Sequence, residues 1–183
     1  MLDEARDHVY EAALFHRYTA AIITGMGGNG PRVDACAEEI YAEWAACCHF
    51  ELYDDVPATL RQIARQGLLI GLISNSHRCL ASFQSHFELE GLIAAAVSSS
   101  EHGYMKPHPS IFDAALRLVG VPAAAAVMVG DSLTHDIEGA LQVGMRGVLV
   151  RRSGEPVPGR PAETDATRAV PVIRSLTELP PLL

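Results

Sequence analysis

Two carboxylates in VMVGDSLTHDIEGA (127–140) are the first residues of this sequence that could do chemistry. A short apolar run delivers Asp131 into a turn flanked by glycine, and Asp136 follows five residues later. Mg²⁺ in proteins is commonly bound by one or two carboxylates together with retained water molecules. Asp131 could therefore bind Mg²⁺, and Asp136 would then support the metal from its outer shell or bind it through water.

Three further polar side chains follow apolar runs elsewhere in the chain. Ser74 and Asn75 come directly after LLIGLI (68–73), and Lys106 lies a few residues after AAAV (94–97). Ser74 and the backbone or side chain of Asn75 could donate hydrogen bonds to a phosphoryl oxygen, while Lys106 could supply fixed positive charge. With a divalent cation, this set meets the needs of phosphoryl transfer, and Ser74 and Lys106 are the candidate catalytic residues.

Each of these residues also has an ordinary structural interpretation. The serine and asparagine could cap the next helix, the lysine could be a solvated loop residue, and the two aspartates could belong to a turn and a helix cap. We expect His108 and His135 to be surface residues, and Asp54 and Asp55 to form a loop that could line the same mouth. The ordinary interpretations would all have to hold at once in three loops at one sheet edge, which favours the functional one.

The apolar pattern places these loops on alternating strands and helices. Continuous apolar runs predict strands that are buried on both faces, at 68–73, 94–98, 126–129 and 147–150. The segments around them have helical spacing, at 57–67, 77–87, 109–119 and 136–143. Repeated units of this kind predict a doubly wound α/β domain with a parallel sheet, and ligands gather at the carboxyl ends of such strands.

The first fifty residues differ from the rest, because their apolar spacing predicts two helices joined by the glycine-rich turn GMGGNGP (25–31). We therefore predict a helical hairpin over residues 1–50 and an α/β core over residues 51–183. The polar, proline-rich stretch over residues 151–168 is predicted to be a surface excursion before a short closing strand.

Composition disfavours several classes of protein. The 183 residues are 49% hydrophobic and 20% charged, as in globular proteins, and 14 basic against 22 acidic residues give a net charge of −8. This charge disfavours nucleic acid or an anionic membrane as the main partner. No apolar run approaches the ~20 residues of a membrane span, and the acidic N-terminus does not resemble a signal peptide. The four cysteines form no zinc-ligand pattern and are predicted to be buried apolar residues in a reducing compartment. We expect a cytoplasmic protein, and its oligomeric state has no signal in the sequence.

The ordered set of motifs resembles the haloacid dehalogenase superfamily. Its phosphatases carry an apolar strand ending in Ser/Thr-Asn, a Lys-Pro-x-Pro loop and Gly-Asp-Ser-x-x-x-Asp, which correspond to LISNS (72–76), GYMKPHPSIF (103–112) and VGDSLTHDIEGA (129–140). The resemblance covers roughly residues 50–180. It implies a Rossmann-like core, a Mg²⁺ cofactor and a small phosphorylated substrate, as in phosphoglycolate phosphatases. It also implies that the hairpin of residues 1–50 is part of a helical cap that covers the active site.

One element of that family does not occur in this sequence. The family's first strand ends in Asp-x-Asp, in which the first Asp is the nucleophile and the second is the general acid/base. The chain begins MLDEARDHVYEAALF, which is helical in pattern, and no apolar strand precedes Asp3 or Asp7. The family places this strand between those that lead to Ser74 and Asp131, so its loss should leave two strand edges exposed or closed upon each other. We therefore hypothesise an N-terminally shortened and impaired enzyme, with a degenerate homologue as the other explanation.

Two other functions stay open from the sequence. A non-catalytic phosphate-binding or regulatory module would keep the phosphate-binding residues and show no turnover. A 2-haloacid dehalogenase is covered by the superfamily name as well, although halide displacement from carbon does not need the metal that GDSLTHD indicates.

Overall fold

The computed structural model describes residues 6–152 and 169–183. The α-helices in these ranges are α1 (Ala12–Gly25), α2 (Arg32–Glu43), α3 (Asp55–Arg65), α4 (Leu80–His86), α5 (Ser99–His102), α6 (Pro109–Val119) and α7 (Gly139–Gln142). The strands are β1 (Ile70–Ser74), β2 (Ile93–Ser98), β3 (Val127–Gly130), β4 (Arg146–Val150) and β5 (Val172–Ile173). Short 3₁₀ turns lie at Arg6–His8, Cys47–His49, Ala123–Ala125, Leu176–Glu178 and Pro180–Leu182.

The strands pair in parallel throughout, as the apolar pattern predicts. β1 pairs with β2, and Ser74 lies opposite Ser98 at the carboxyl end of this pair. β4 lies between β3 and β5, and both of its pairings are parallel. Helices α3 and α6 pack against strands of the core. The chain is therefore an α/β protein of the predicted class, with an N-terminal helical hairpin formed by α1 and α2.

The strands form two separate sheets in the part of the chain that the structure describes. One sheet contains β1 and β2, and the other contains β3, β4 and β5. A cavity of about 1000 Å³ lies between them, and residues of both β1 and β3 line it. If a strand is absent between them, two outcomes were expected, exposed edges or closure of the two strands on each other; among the described residues β1 and β3 do not pair with each other, which is the first outcome.

Apolar layers cover the two faces of these sheets. Ile111 and Phe112 of α6 pack with Val97 of β2 and Met128 of β3 on one face. Ile63 of α3 packs with residues of β4, β5 and the C-terminal 3₁₀ turns on the other. Because both faces are covered, the strands are apolar without alternation, which is the pattern read from the sequence.

The helical hairpin contacts the core through an aromatic cluster. The ring of Tyr41 on α2 stacks on the ring of His77, which follows β1, with their centroids 3.8 Å apart. His77 Nε2 lies 2.6 Å from the main-chain oxygen of Tyr41. The hydroxyl of Tyr41 also bonds that of Tyr10, and burial together with this bond raises the pKa of Tyr10 well above its usual range. The hairpin thus lies next to the loop that follows Ser74.

Two sequence expectations are wrong. The helix predicted from residue 136 begins earlier, with a π-helical turn over Leu133–Glu138, because Ser132 O accepts from the main-chain N–H of both Asp136 and Ile137. The cysteines are not buried: Cys36, Cys48 and Cys79 are exposed and Cys47 is half-buried. Small apolar side chains were expected inside, yet these residues lie on outward-facing positions of helices and turns.

Within residues 6–152 and 169–183, no helix is both long and apolar enough to cross a membrane.

Candidate active site

The loop after β1 is joined to the loop before α6 by the side chain of Asn75. Its amide Nδ2 donates to Lys106 O at 3.0 Å, and its Oδ1 accepts from Lys106 N at 2.7 Å. Both polar atoms of the side chain therefore bind the main chain of one residue, 31 positions away. The side chain of Asn75 holds the lysine loop in place, and its main-chain N–H, which has no partner within the described ranges, could meet a ligand.

Lys106 turns its ammonium group toward the carboxyl end of β1. Its Nζ donates to Ile73 O at 3.0 Å and to Asp136 Oδ1 at 2.6 Å. The side chain of Lys106 is 12% exposed and that of Asp136 is 5% exposed, so the ion pair is largely shielded from water. Charge-assisted bonds of this kind fix a side chain more strongly than neutral ones. The structure thus brings the lysine, the end of β1 and the second aspartate of the motif together.

Asp136 uses both carboxylate oxygens within the site. Oδ2 accepts from Ser132 N at 2.9 Å, while Oδ1 accepts from the lysine. Gly130 is required beside it, because a Cβ there would overlap the carboxyl carbon of Asp136. Asp136 therefore fixes the turn and orients Lys106. Because both of its carboxylate oxygens already accept hydrogen bonds, a metal would interact with Asp136 from its outer shell or through water.

Asp131 lies at the carboxyl end of β3 and is exposed to solvent. Its main-chain oxygen accepts from Arg151 Nη1 at 2.6 Å, and both residues line the cavity between the sheets. Within the described residues, no hydrogen bond occupies the carboxylate of Asp131. It is therefore open to a cation that approaches from the strand ends.

Serine hydroxyls support the loop that carries Ser74. Ser74 Oγ donates to Ser76 Oγ at 2.9 Å, and this hydroxyl can rotate toward a ligand. Ser76 O accepts from Ser99 Oγ at 3.3 Å, and Ser99 and Ser98 are fully buried. The loop that follows Ser74 is therefore held by a hydrogen bond from a serine that is fully buried in the core.

Several polar residues of the sequence lie outside this group. Asp55 accepts two bonds from Arg152, one from Ser175 Oγ at 2.7 Å and one from Leu176 N at 2.8 Å. The hydrogen bond from Arg152, with help from the other donors, holds the pKa of Asp55 well below its usual range. Asp55 therefore ties the C-terminal turns to α3 and does not line the mouth.

Of the two histidines that the sequence assigned to the surface, His108 caps the start of α6, whereas His135 only contacts the capping hydroxyl of Ser132. His108 Nδ1 accepts from Ser110 N at the start of α6, and Ser110 Oγ also lies 2.8 Å from His102 Nε2. Burial lowers the pKa of His102. His135 is exposed and bonds the hydroxyl of Ser132. None of these rings takes part in the cluster around the lysine.

The described residues supply part of the ligand set that a magnesium ion needs. Among the described residues, no three His, Cys, Asp or Glu side chains lie close enough together to hold a metal. Asp131 supplies one open carboxylate, and Mg²⁺ keeps several water molecules in such sites. The donor set is thus compatible with Mg²⁺ and needs at least one further oxygen ligand.

Arg151 is a residue of the site that sequence reasoning missed. It comes directly after β4, and the rule that ligands gather at the carboxyl ends of parallel strands applies to this position as well. Its guanidinium lies beside Asp131, where it adds positive charge to the edge that holds Lys106.

Comparison with known proteins decides the family. A model of the haloacid dehalogenase-like hydrolases matches residues 8–144. The chain belongs to this family. Haloacid dehalogenase-like hydrolase domain-containing protein 3 of Bos taurus is 32% identical over 147 residues, which cover 80% of this chain and 57% of the relative.

Proteins similar to this chain include a phosphatase and a dehalogenase. N-acylneuraminate-9-phosphatase of Mus musculus is 34% identical over 157 residues, covering 80% of this chain and 58% of that protein. A 2-haloacid dehalogenase from Pseudomonas syringae pv. Tomato has a crystal structure that is 27% identical, with a TM-score of 0.67 over 99% of this chain and 75% of the other. The chain spans a little over half the length of the two curated relatives.

Proposed function

We propose that this chain carries the phosphate-binding part of a Mg²⁺-dependent phosphatase that acts on a small phosphorylated metabolite in the cytoplasm. The observation that supports this most directly is the placement of Lys106. An ammonium has three donors, and two of them bind Ile73 O and Asp136 Oδ1. The third is available, among the described residues, for a phosphoryl oxygen near the hydroxyl of Ser74 and the main-chain N–H of Asn75.

The balance of charge supports a divalent cation in the same site. Lys106 and Arg151 contribute two positive charges, and Asp131 and Asp136 contribute two negative ones. A dianionic phosphate monoester would meet no net attraction from these four groups alone. Mg²⁺, when bound to Asp131 and to Asp136 through water, would neutralise charge on the non-bridging oxygens of the phosphoryl group.

The attacking group is proposed to come from a segment outside these 183 residues. Asp136 is committed to Lys106 and Ser132, and Asp131 is proposed for the metal. A phosphatase of this type needs a further carboxylate as nucleophile, in line with the phosphoryl group. The proposal therefore treats this chain as an N-terminally shortened enzyme, and it expects this chain alone to bind phosphate and to show little turnover.

The sequence contains a single lysine, which makes the binding test direct. Protein labelled with ¹⁵N-lysine gives one ammonium signal, from Lys106. Adding inorganic phosphate with Mg²⁺ should shift this signal in a saturable way, and Asp131→Asn should weaken the effect of Mg²⁺. Arg61→Gln, on the exposed face of α3, is the matched control. A signal that does not respond to phosphate would contradict the proposal, and so would full turnover of p-nitrophenyl phosphate by this chain alone.

A non-catalytic phosphate-binding module is the second candidate, because Asp136 is bound to Lys106 and Ser132 and, among the described residues, no second carboxylate contacts the Lys106 ammonium. The two candidates differ in the longer protein. If the chain is extended to the length of its relatives and hydrolyses p-nitrophenyl phosphate only with Mg²⁺, it is a phosphatase. If the extended chain binds phosphate without turnover, the module is correct, while chloride release from 2-chloropropionate without metal would indicate a dehalogenase.

A further inference from the structure

The main-chain oxygen of Asp131 has a charged partner in Arg151. Arg151 Nη1 donates to Asp131 O at 2.6 Å, from the residue that directly follows β4. β3 pairs with β4 as far as Gly130 and Leu149, so Asp131 lies one residue beyond the last pair of the ladder. A side chain therefore binds this oxygen at a point that the regular pairing of the two strands does not reach.

The peptide group between Asp131 and Ser132 is held on both sides. A trans peptide group is planar, and its C=O and N–H point in opposite directions. Arg151 binds the C=O of this group, and Asp136 Oδ2 accepts from its N–H at 2.9 Å. Bonds on opposite sides oppose rotation of the peptide plane, which includes the Cα of Asp131. The carboxylate of Asp131 then keeps only the torsions of its own side chain.

The groups along this line of contacts alternate in charge. Lys106 Nζ donates to Asp136 Oδ1 at 2.6 Å, so the carboxylate at the N–H side of the peptide is itself paired with a cation. The guanidinium of Arg151 lies at the C=O side. Hydrogen bonds in such a chain polarise one another, and those with a charged partner are stronger than neutral ones. The peptide that carries Asp131 is therefore fixed more firmly than neutral partners would fix it.

Arg151 holds the main chain of Asp131 and leaves its carboxylate open. Among the described residues, Arg151 makes no ion pair with Asp131 or with another carboxylate. A direct ion pair would compete with a cation for the oxygens of Asp131, whereas a bond to the main chain does not. Groups that orient a metal ligand from outside the coordination shell act in this way.

The backbone of Arg151 is itself anchored on the side away from β3. Its main-chain N–H donates to Ile173 O of β5 at 2.7 Å, and Ile173 is 3% exposed. The next residue, Arg152, is bonded through both terminal nitrogens to Asp55 at 2.9 Å. Arg151 therefore projects from a fixed stretch of chain, which is what a group that positions a ligand requires.

We propose that Arg151 is a positioning residue of the metal site, which orients the Asp131 carboxylate by holding the peptide group that follows it. The inference rests on the proposed function, because it takes Asp131 as the ligand of Mg²⁺. The guanidinium has two opposing effects: its charge repels a nearby cation, and its bond to Asp131 O keeps the ligand oriented. Loss of an outer-shell partner typically weakens metal binding by about 10–100-fold. Asp131 is exposed, so water and salt screen the repulsion, and we expect the orienting effect to be the larger.

The first test measures binding of Mn²⁺ to the 183-residue protein by EPR, since Mn²⁺ accepts the same oxygen ligands as Mg²⁺. Arg151→Met should weaken binding about tenfold. Arg151→Lys keeps a cationic donor for a single bond and should stay within about threefold of wild type. Arg146→Met is the matched control, because it removes the same charge from the exposed first residue of β4, and it should leave binding unchanged. When Asp131 is already replaced by Asn, Arg151→Met should not weaken the residual binding further.

The second test needs no metal. Hydrogen exchange of the Ser132 amide should be about tenfold faster in Arg151→Met than in wild type, because the peptide group loses one of its two bonds. The amide of Leu149, which donates to Pro171 O in the same sheet, should exchange at the wild-type rate. General destabilisation would instead accelerate exchange at both amides.

Several outcomes would overturn the role of Arg151. These are tighter or unchanged Mn²⁺ binding in Arg151→Met, an equal loss in Arg146→Met, and exchange at Ser132 that is unchanged or rises only together with that at Leu149. Each of them leaves the proposed function standing. Wild-type protein that binds no Mn²⁺, or binds it independently of Asp131, would contradict the metal site of the proposed function and overturn the inference with it.

Discussion

Replacing Asp136 should destabilise the protein, because the shielded ammonium of Lys106 would lose its partner carboxylate. Asp136→Ala removes an acceptor from Lys106 Nζ and another from Ser132 N, at a side chain that is 5% exposed. Removing one partner of a buried ion pair costs about 3–5 kcal/mol. Lys106 keeps its bond to Ile73 O and is partly exposed to solvent. We therefore expect the free energy of unfolding to fall by about 3 kcal/mol, at the lower end of this range.

A double-mutant cycle separates the ion pair from loss of packing. Lys106→Met removes the ammonium and keeps the length of the side chain, and in the double variant neither charge is left alone. We expect the two losses to be non-additive by about 2 kcal/mol. Urea unfolding measures the free energies, and Asp136→Ala should lower Tm by about 6–12 °C in a chain of this length.

The control is Asp113→Ala, which removes an exposed carboxylate from α6 and should change the free energy of unfolding by no more than about 0.5 kcal/mol. A coupling energy below about 0.5 kcal/mol would refute the argument that this pair is a shielded and stabilising contact. Equal losses in Asp136→Ala and Asp113→Ala would refute it independently.

Three further predictions rest on contacts in the described residues. Asp55→Ala should lower the free energy of unfolding by about 2 kcal/mol at neutral pH. Because the folded state depresses the pKa of Asp55, this contribution is fully present above the unfolded pKa of about 3.9 and is lost as the pH falls through the folded pKa. The urea midpoints of wild type and variant should therefore converge in acid. Gly130→Ala should cost about 2 kcal/mol because its Cβ overlaps a buried carboxyl group, whereas Gly71→Ala, whose Cβ would meet nothing closer than 3.6 Å, should cost much less in thermal melts. Asn75→Ala should weaken the phosphate-induced shift of the lysine signal several-fold, with Asn29→Ala in the helical-hairpin turn as control, and an unchanged shift would argue against a positioning role.

The elements of the core could be predicted where local signals marked both ends. Helix α6 is found at the predicted bounds, because Pro109 suits its first turn and Gly120 ends it in the left-handed region. The strands lie within two residues of their predicted positions, since buried parallel strands are apolar throughout. The π-helical turn before α7 could not be predicted, because it depends on one main-chain oxygen, that of Ser132, accepting from two donors.

The sequence predicted which residues belong to the candidate site, but it did not predict the contacts that these residues make with one another. Strand ends pointed to Ser74, Asn75, Lys106 and Asp131, since parallel strands deliver their loops to one edge. That the Asn75 side chain binds the main chain of Lys106 has no local signal, because the partners lie 31 residues apart. The roles of these residues in phosphate and metal binding stay predictions.

The contacts of Asp55 have a consequence for the order in which the chain assembles. Asp55 bonds Ser175 and Leu176 across 120 and 121 positions, whereas the bonds between Asn75 and Lys106 span 31. Loop-closure entropy grows with the logarithm of this separation, so the longer closure costs about 1 kcal/mol more before any contact repays it. The loops that carry Asn75 and Lys106 can therefore come together while the C-terminal turns are still detached, and the nascent chain can form its candidate site before these turns dock.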